Sequence, residues 1–241
     1  MTINTRTEKT LDIIHETGSF LAVNKPANIL VIPDQYSDTG KTLLGKVTEY
    51  LNSKPFVVHR LDRGTSGVIL FAKNAESHTA LCTQFEHSKV TKKYLAIING
   101  EISDDSGEID MPILTEGRKV SISAEGKRSV TEYRVLERFR NHTYVEASPR
   151  TGRRHQIRIH FWSIGFPLAV DPEYTKTEGL FLSEFKKKYK PSGIEKPMIG
   201  RLSLHSSSIS FTDPESGEPM TLSAELPADF EITLKQLRKW S

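Results

Sequence analysis

The residues best suited to chemistry lie in one unbroken stretch, 57–67, with the sequence VVHRLDRGTSG. A single carboxylate, Asp62, stands between Arg60 and Arg63, and Gly64 and Gly67 flank Thr65-Ser66. Apolar runs on both sides predict strands, so the loop between them is braced at both ends. A carboxylate held that way can serve as a positioned acid, base or nucleophile. The neighbouring cations are expected to keep it ionised. The same spacing allows a plainer reading, in which Asp62 caps the turn and both arginines face water. Other patterns fail on inspection. Gly40-Lys41-Thr42 ends like a phosphate-binding loop, but Gln35 stands where that motif has its first glycine. His155 and His160 are five residues apart, the wrong spacing for two metal ligands on one helical face.

The elements that must hold this loop follow from the patterning. Short apolar runs at 13–15 and 20–24, around Thr17-Gly18, predict a hairpin, and 29–32 a further strand. Leu43, Leu44, Val47 and Leu51 have helical spacing within 42–51. Residues 55–58 and 67–72 predict the strands that flank the Asp62 loop. Asn74 is placed to cap a helix carrying Ala80, Leu81 and Phe85, with Cys82 expected in the core. Strands are expected at 94–100, 130–136, 143–147, 202–204, 208–211 and 220–224, with helices at 154–164 and 230–240. Strands outnumber helices and lack βαβ alternation, which favours an α+β fold on a largely antiparallel sheet. Residues 176–197, polar and lysine-rich, read as an inserted loop.

Composition bounds the function class. The chain has 241 residues, 37% hydrophobic and 26% charged, with a net charge of +3, the profile of a globular domain rather than a disordered chain. One cysteine, Cys82, excludes an intramolecular disulfide framework and a cysteine-cluster zinc site. No apolar run approaches the ~18 residues of a membrane span, and the polar first ten residues have no signal-peptide pattern, so the cytoplasm is the expected location. The small net charge hides two patches. Residues 148–161 carry Arg150, Arg153, Arg154 and Arg158 with no carboxylate, and 181–201 carry an excess of four positive charges. Such patches suit a polyanionic partner, though a solvated charged face has the same composition.

The segment HRLDRGTSG resembles the signature of the RluA-type pseudouridine synthases, and further blocks follow in that family's order. LAVNKP at 21–26, KYLA at 93–96 and GKRSVTEYRVLE at 126–137 resemble its successive strands. TGRRHQIRIHFWSIGFPLAVDPEY at 151–174 and LHSSSISF at 204–211 resemble the last two blocks. The resemblance spans about residues 12–230 and implies the α+β pseudouridine-synthase catalytic fold, a largely antiparallel mixed sheet with flanking helices and a central cleft. It implies a single catalytic domain over 1–241 without a separate N-terminal RNA-binding domain, a monomer with no obligate protein partner, and no metal or organic cofactor. Ribosomal RNA, transfer RNA or both are the implied substrates. By position, Asp62 would be the essential carboxylate, Tyr94 would stack on the extruded uracil and handle the proton at carbon 5, and Arg158 would pair with Asp62. Arg60 would reach into the RNA, with Arg63, Arg153, Arg154, His155, Lys186, Lys187, Lys188 and Lys190 as further RNA contacts. Without the resemblance, Tyr94 reads equally as a core tyrosine and Arg158 as one cation of a phosphate-binding helix.

Two rivals are open at this stage. One is a catalytically silent RNA-binding protein on the same fold. The other, a glycoside hydrolase, needs a second carboxylate near Asp62. Of the carboxylates in the matched blocks only Asp171 is read as near Asp62, and it reads as a turn residue before Pro172. Departures from the family pattern include Asn28 in place of a glycine, where asparagine tolerates a left-handed backbone, Ser206 in place of an alanine, and Asp213 before Pro214.

Overall fold

The computed structural model describes residues 11–34, 39–186 and 188–241; the first ten residues, Gln35 and Lys187 lie outside the described residues. The hairpin forms as expected from β1 (Ile13–Glu16) and β2 (Phe20–Lys25). The Thr17 hydroxyl accepts from the Ser19 and Phe20 amides, both at 3.1 Å, and this sets the tight turn. Helix α1 (Leu43–Leu51) starts at Thr42, whose hydroxyl accepts from the Gly45 amide. Strands β3 (Phe56–Val57) and β4 (Ser66–Ala72) flank the Asp62 loop, and α2 (Ala75–Glu86) begins at the Asn74 cap. Next come β5 (Thr91–Asn99), β6 (Ser106–Asp110), β7 (Ile113–Glu116), β8 (Lys119–Ile122), β9 (Val130–Phe139) and β10 (His142–Pro149). Helix α3 (Gln156–Ser163), β11 (Leu204–Thr212), β12 (Pro219–Ser223) and α4 (Ala228–Trp240) complete the chain.

Ten strands form one sheet in the order β1-β2-β4-β11-β5-β10-β9-β6, with β12 paired to β11 and β3 to β4; β7 and β8 form a separate hairpin. Every pairing in the large sheet is antiparallel except β4 with β11. All seven residues of β4 are buried, which explains its unbroken apolar sequence. Gly67, at φ +113°, lies against the backbone of Ser206 on β11, and a Cβ there would collide with it.

Side-chain alternation divides the core. On β2 and β4, Leu21, Val23, Ile69 and Phe71 pack with Leu43 and Val47 of α1, while Phe20, Ala22, Val68, Leu70 and Ala72 pack with Leu81 of α2. On β5, Ala96 and Ile98 pack with Ile157 and Phe161 of α3, and Ile97 packs with Phe230, Leu234 and Leu237 of α4. Tyr94 touches both the α1 cluster and the α3 cluster, so it sits at their junction.

Three expectations need correction. Residues 29–32 form no strand: the Ile29 carbonyl accepts from Lys25 Nζ, and those of Leu30 and Val31 accept from the Leu43 and Leu44 amides. That backbone is used to anchor α1. Cys82 is half-buried beside His78 Nε2 at 3.3 Å, because Ser77 and Leu81 form the buried side of α2. Strands β6, β7 and β8 are additional to the expected set. Residues 176–197 hold a 3-10 turn at Leu182–Glu184, and the segment is anchored by a Leu180–Ile199 bridge and by Phe185 in the α4 cluster.

Candidate active site

The Asp62 loop is fixed by its main chain and by two buried cations. The Asp62 carbonyl accepts from the Thr65 amide at 3.1 Å, so the turn needs nothing from the carboxylate. Lys25, fully buried at the end of β2, donates to the carbonyls of Pro26, Ile29 and Arg63 at 3.0, 2.9 and 3.1 Å. Burial draws the Lys25 pKa down to about 7, against the upward pull of the Asp62 charge. At the far end of the loop, Arg201 Nη1 donates to the Ser66 hydroxyl at 3.0 Å, which lies 2.9 Å from His205 Nδ1. Arg201 is itself gripped by Asp229 in the first turn of α4, with two bonds of 2.7 Å. Asn28, at φ 65°, takes up the left-handed conformation the sequence anticipates.

Arg158 projects from α3 and meets three carboxylates. Nε and Nη2 each donate to Asp171 at 2.8 Å, Nη2 donates to Glu173 at 3.0 Å, and Nη1 reaches Asp62 Oδ2 at 3.3 Å. Asp171 is 1% exposed and Asp62 26%, so the inner carboxylate is sealed and the outer one faces the opening. Burial opposes the Arg158 charge, but the Asp171 hydrogen bonds and the surrounding carboxylates hold its pKa above the ordinary guanidinium value. Asp171 is still the turn residue expected, since its Oδ1 accepts from the amides of Glu173 and Tyr174. The structure adds Glu173 to it: Asp171 and Glu173 share one guanidinium with Asp62. Among the described residues neither Arg60 nor Arg63 lies within 4.0 Å of the carboxylate; the cation that pairs with it is Arg158, as the resemblance implies, and the His155 ring lies 3.9 Å away.

His155 precedes α3 at φ 53°, with a side chain only 8% exposed. Its Nε2 lies 3.9 Å from Asp62, and its Nδ1 lies 3.2 Å from the Tyr174 hydroxyl. Burial draws its pKa below the usual histidine value, with Asp62 opposing. Tyr174 closes this wall, lying 5.0 Å below the Arg158 guanidinium. On β5, the half-buried Tyr94 has its phenol pKa raised well above the ordinary value by burial; the Ser206 hydroxyl opposes that shift and the Asp62 charge adds to it. Asp62, Arg158 and Tyr94 are therefore within one electrostatic neighbourhood.

The remaining candidates lie outside this cluster. Arg60 and Arg153 are exposed, and Arg63 Nε donates to the Asn28 carbonyl at 3.4 Å. Arg154 donates to the Gly117 carbonyl at 3.0 Å and so ties the start of α3 to the β7–β8 hairpin. Lys186 rests over the Trp240 ring at the end of α4, 4.9 Å from its centroid, and Lys188 and Lys190 are exposed. Phe185 lies 5.3 Å from His142, which pairs with Asn99 five residues along β5 from Tyr94, about 17 Å of strand. Residues missed by sequence reasoning are Lys25, Glu173, Tyr174 and Arg201. The signal available for Lys25 was its place at the end of the apolar run of β2, just before Pro26. Among the described residues, no group of three or more histidine, cysteine or acidic side chains could hold a metal ion, and no helix is long and apolar enough to cross a membrane.

Comparison with known proteins places the chain in one family. Residues 19–163 match the family described as RNA pseudouridylate synthase. An uncharacterised RNA pseudouridine synthase of Bacillus subtilis is 36% identical over 239 residues, covering 95% of this chain and 73% of that protein. The ribosomal large subunit pseudouridine synthase D of Buchnera aphidicola is 35% identical over 233 residues, covering 93% and 73%. Among solved structures, human RNA pseudouridylate synthase domain containing 4 superposes with a TM-score of 0.71 at 22% identity over 94% of this chain and 93% of that one. Human RNA pseudouridylate synthase domain containing 1 gives 0.67 at 25%, over 90% and 84%. The chain belongs to the RNA pseudouridylate synthase family, in its RluA-type branch, and is an isomerase that acts on RNA.

Proposed function

We propose that this isomerase converts uridine in ribosomal RNA to pseudouridine, with Asp62 as the group that acts on the sugar. The observation that carries the reading is the Asp62–Arg158 pair, 3.3 Å apart, beside Tyr94. Uracil cannot turn inside a helix, so the nucleotide is extruded into the pocket at an unstacking cost of a few kcal/mol. Stacking on the Tyr94 ring offsets part of that, at ~1–3 kcal/mol per base.

The Asp62 carboxylate then either bonds to carbon 1′ or removes the proton from carbon 2′; in both routes the N1–C1′ bond breaks and uracil leaves with the electron pair. The base rotates and carbon 5 bonds to carbon 1′, displacing the Asp62 carboxylate in the first route or with Asp62 returning the proton to carbon 2′ in the second, and the proton on carbon 5 is then lost while N1 gains one. Arg158, held rigid by Asp171, keeps a fixed positive charge against Asp62 as water is excluded. A phenol is neutral near pH 7 and burial only raises the Tyr94 pKa further, so its hydroxyl acts as a hydrogen-bonding relay for the carbon 5 proton rather than as a phenoxide.

The names of the ribosomal relatives support ribosomal RNA as the substrate. The test is pseudouridine mapping on unmodified ribosomal and transfer RNA incubated with the protein. New sites in ribosomal RNA are expected. Sites in transfer RNA alone would overturn the substrate, and binding without any new site would favour a silent RNA-binding protein.

A further inference from the structure

A cavity of about 400 Å³ opens beside the active site, between the end of α2, the start of β5 and the loop leading to α3. Phe85, Ser88, Lys92, Thr151, Gly152 and Arg153 line it. Lys92 stands two residues before Tyr94, about 7 Å along the strand. Its half-buried Nζ donates to the Thr151 carbonyl at 3.3 Å, and among the described residues no carboxylate comes within 4.0 Å of it. Arg150, also at the cavity, is occupied by Glu132 at 2.8 Å, and Glu86 at the mouth is exposed. Lys92 and the exposed Arg153 are thus the cations there without an acidic partner.

The floor is built rather than incidental. Gln156, 4% exposed, accepts through Oε1 from the Thr151 hydroxyl at 2.7 Å and the Arg153 amide at 3.0 Å. Its Nε2 donates to the Val130 carbonyl at 2.8 Å and the Thr131 hydroxyl at 3.0 Å. One buried amide therefore locks the Thr151–Arg153 turn onto β9, and Gly152 lies beside Lys92, where a Cβ would stand 3.8 Å from Nζ, in ordinary contact. Phe85 is backed by the His59 ring at 4.8 Å, from the same segment that carries Asp62.

We infer that this cavity is a subsite for a phosphodiester of the RNA strand next to the extruded uridine, with Lys92 as its central cation and Arg153 at its rim. The inference rests on the RNA reading above and adds a place where the flanking backbone is gripped. Burial draws the Lys92 pKa down to about 8, which leaves it mostly charged near pH 7, and a part-buried cation is screened less than a solvated one, so a phosphate gains more there. A phosphate contact positions the strand without reading its sequence, which suits a residue adjacent to the reacting base.

The test is the affinity of wild type, Lys92→Gln and Lys92→Arg for unmodified large-subunit ribosomal RNA across a potassium chloride series, with turnover at saturating RNA. Lys92→Gln is expected to weaken binding about five- to tenfold at 0.1 M salt and to lower the log–log salt slope by about 0.7–0.9, one phosphate contact. Lys92→Arg is expected to keep the slope, and kcat to fall less than twofold in either variant. An unchanged slope with affinity within twofold overturns the subsite. So does a loss of kcat at unchanged affinity, which would make Lys92 a support for Tyr94. Because the slope is read from binding, the subsite can hold even if no pseudouridine forms, and pseudouridine can form even if the subsite fails.

Discussion

The Arg158 guanidinium turns two of its nitrogens to Asp171, at 2.8 Å each, and only Nη1 to Asp62, at 3.3 Å. The tighter pair is the buried one. Asp171 therefore orients Arg158, and Arg158 presents a fixed charge to Asp62. Replacing Asp171 by Asn keeps the shape but removes the charge and one acceptor. Turnover is expected to fall 10- to 100-fold with RNA affinity nearly unchanged, as when a partner that orients an active-site ligand is lost. Stability should drop by about 3 kcal/mol, the low end for breaking a buried ion pair, because Asp62 and Glu173 remain. Urea unfolding and single-turnover kinetics read both, and wild-type turnover in the variant would show that Arg158 needs no such brace.

Tyr94→Phe separates the ring from the hydroxyl. The phenyl face still stacks, so RNA binding should stay within a few-fold of wild type, while product formation stalls at proton loss from carbon 5. Rapid-quench assays should show RNA bound and little pseudouridine. Undiminished turnover would mean that Tyr94 contributes only its ring.

Two buried histidines, His142 and His205, and the half-buried His59 make the fold sensitive to acid. Burial pulls His142 and His205 to about 4 and, helped by the Lys92 charge, His59 to about 3, against about 6.5 in an unfolded chain. Between pH 6.5 and 4 the unfolded chain binds protons that the folded one refuses. Stability is full above 6.5 and is lost as pH falls through that window. Thermal melts from pH 7.5 to 4.5 should show a steady drop in Tm on the acid side, and a flat profile would contradict it.

His142 offers a sharper version of the same test. Its Nδ1 is buried without a hydrogen-bond partner, and its ring packs on Phe185 at 5.3 Å. His142→Phe keeps an aromatic ring and removes both the unpaired nitrogen, an unmet group costing about 1–3 kcal/mol, and one acid-sensitive site. Equal or higher Tm at pH 7.5, with a shallower acid decline, is expected. A large loss of Tm at pH 7.5 would show that the nitrogen is needed.

What the sequence made legible was local. The apolar runs at 20–24 and 67–72, the Thr42 and Asn74 caps and the hairpin at Thr17 each depend on neighbours within a few residues, and each appears as expected. Asp62 and Arg158 could be singled out because each lies inside a contiguous motif. The brace on Arg158 could not, since Asp171 reads as a turn residue and makes the turn bonds as well. Lys25 and Arg201 were hidden for a related reason: their partners are carbonyls, the Ser66 hydroxyl and Asp229, contacts that only the folded chain creates. Strand β6, with exposed Glu108 and Asp110, and the β7–β8 hairpin, with Glu116 and Lys119 at its tip, are edge elements, and their charged residues mask the apolar pattern. Residues 29–32 misled because an apolar run can serve a helix anchor as well as a strand.

The central claim is that the Asp62 carboxylate acts on the sugar, and one comparison tests it most directly. Wild type and Asp62→Asn are incubated with the same unmodified ribosomal RNA, and pseudouridine is mapped over time alongside RNA affinity. Wild type should form pseudouridine at defined sites, and Asp62→Asn none, with affinity within a few-fold. Pseudouridine formed by Asp62→Asn at a rate near wild type would contradict the account.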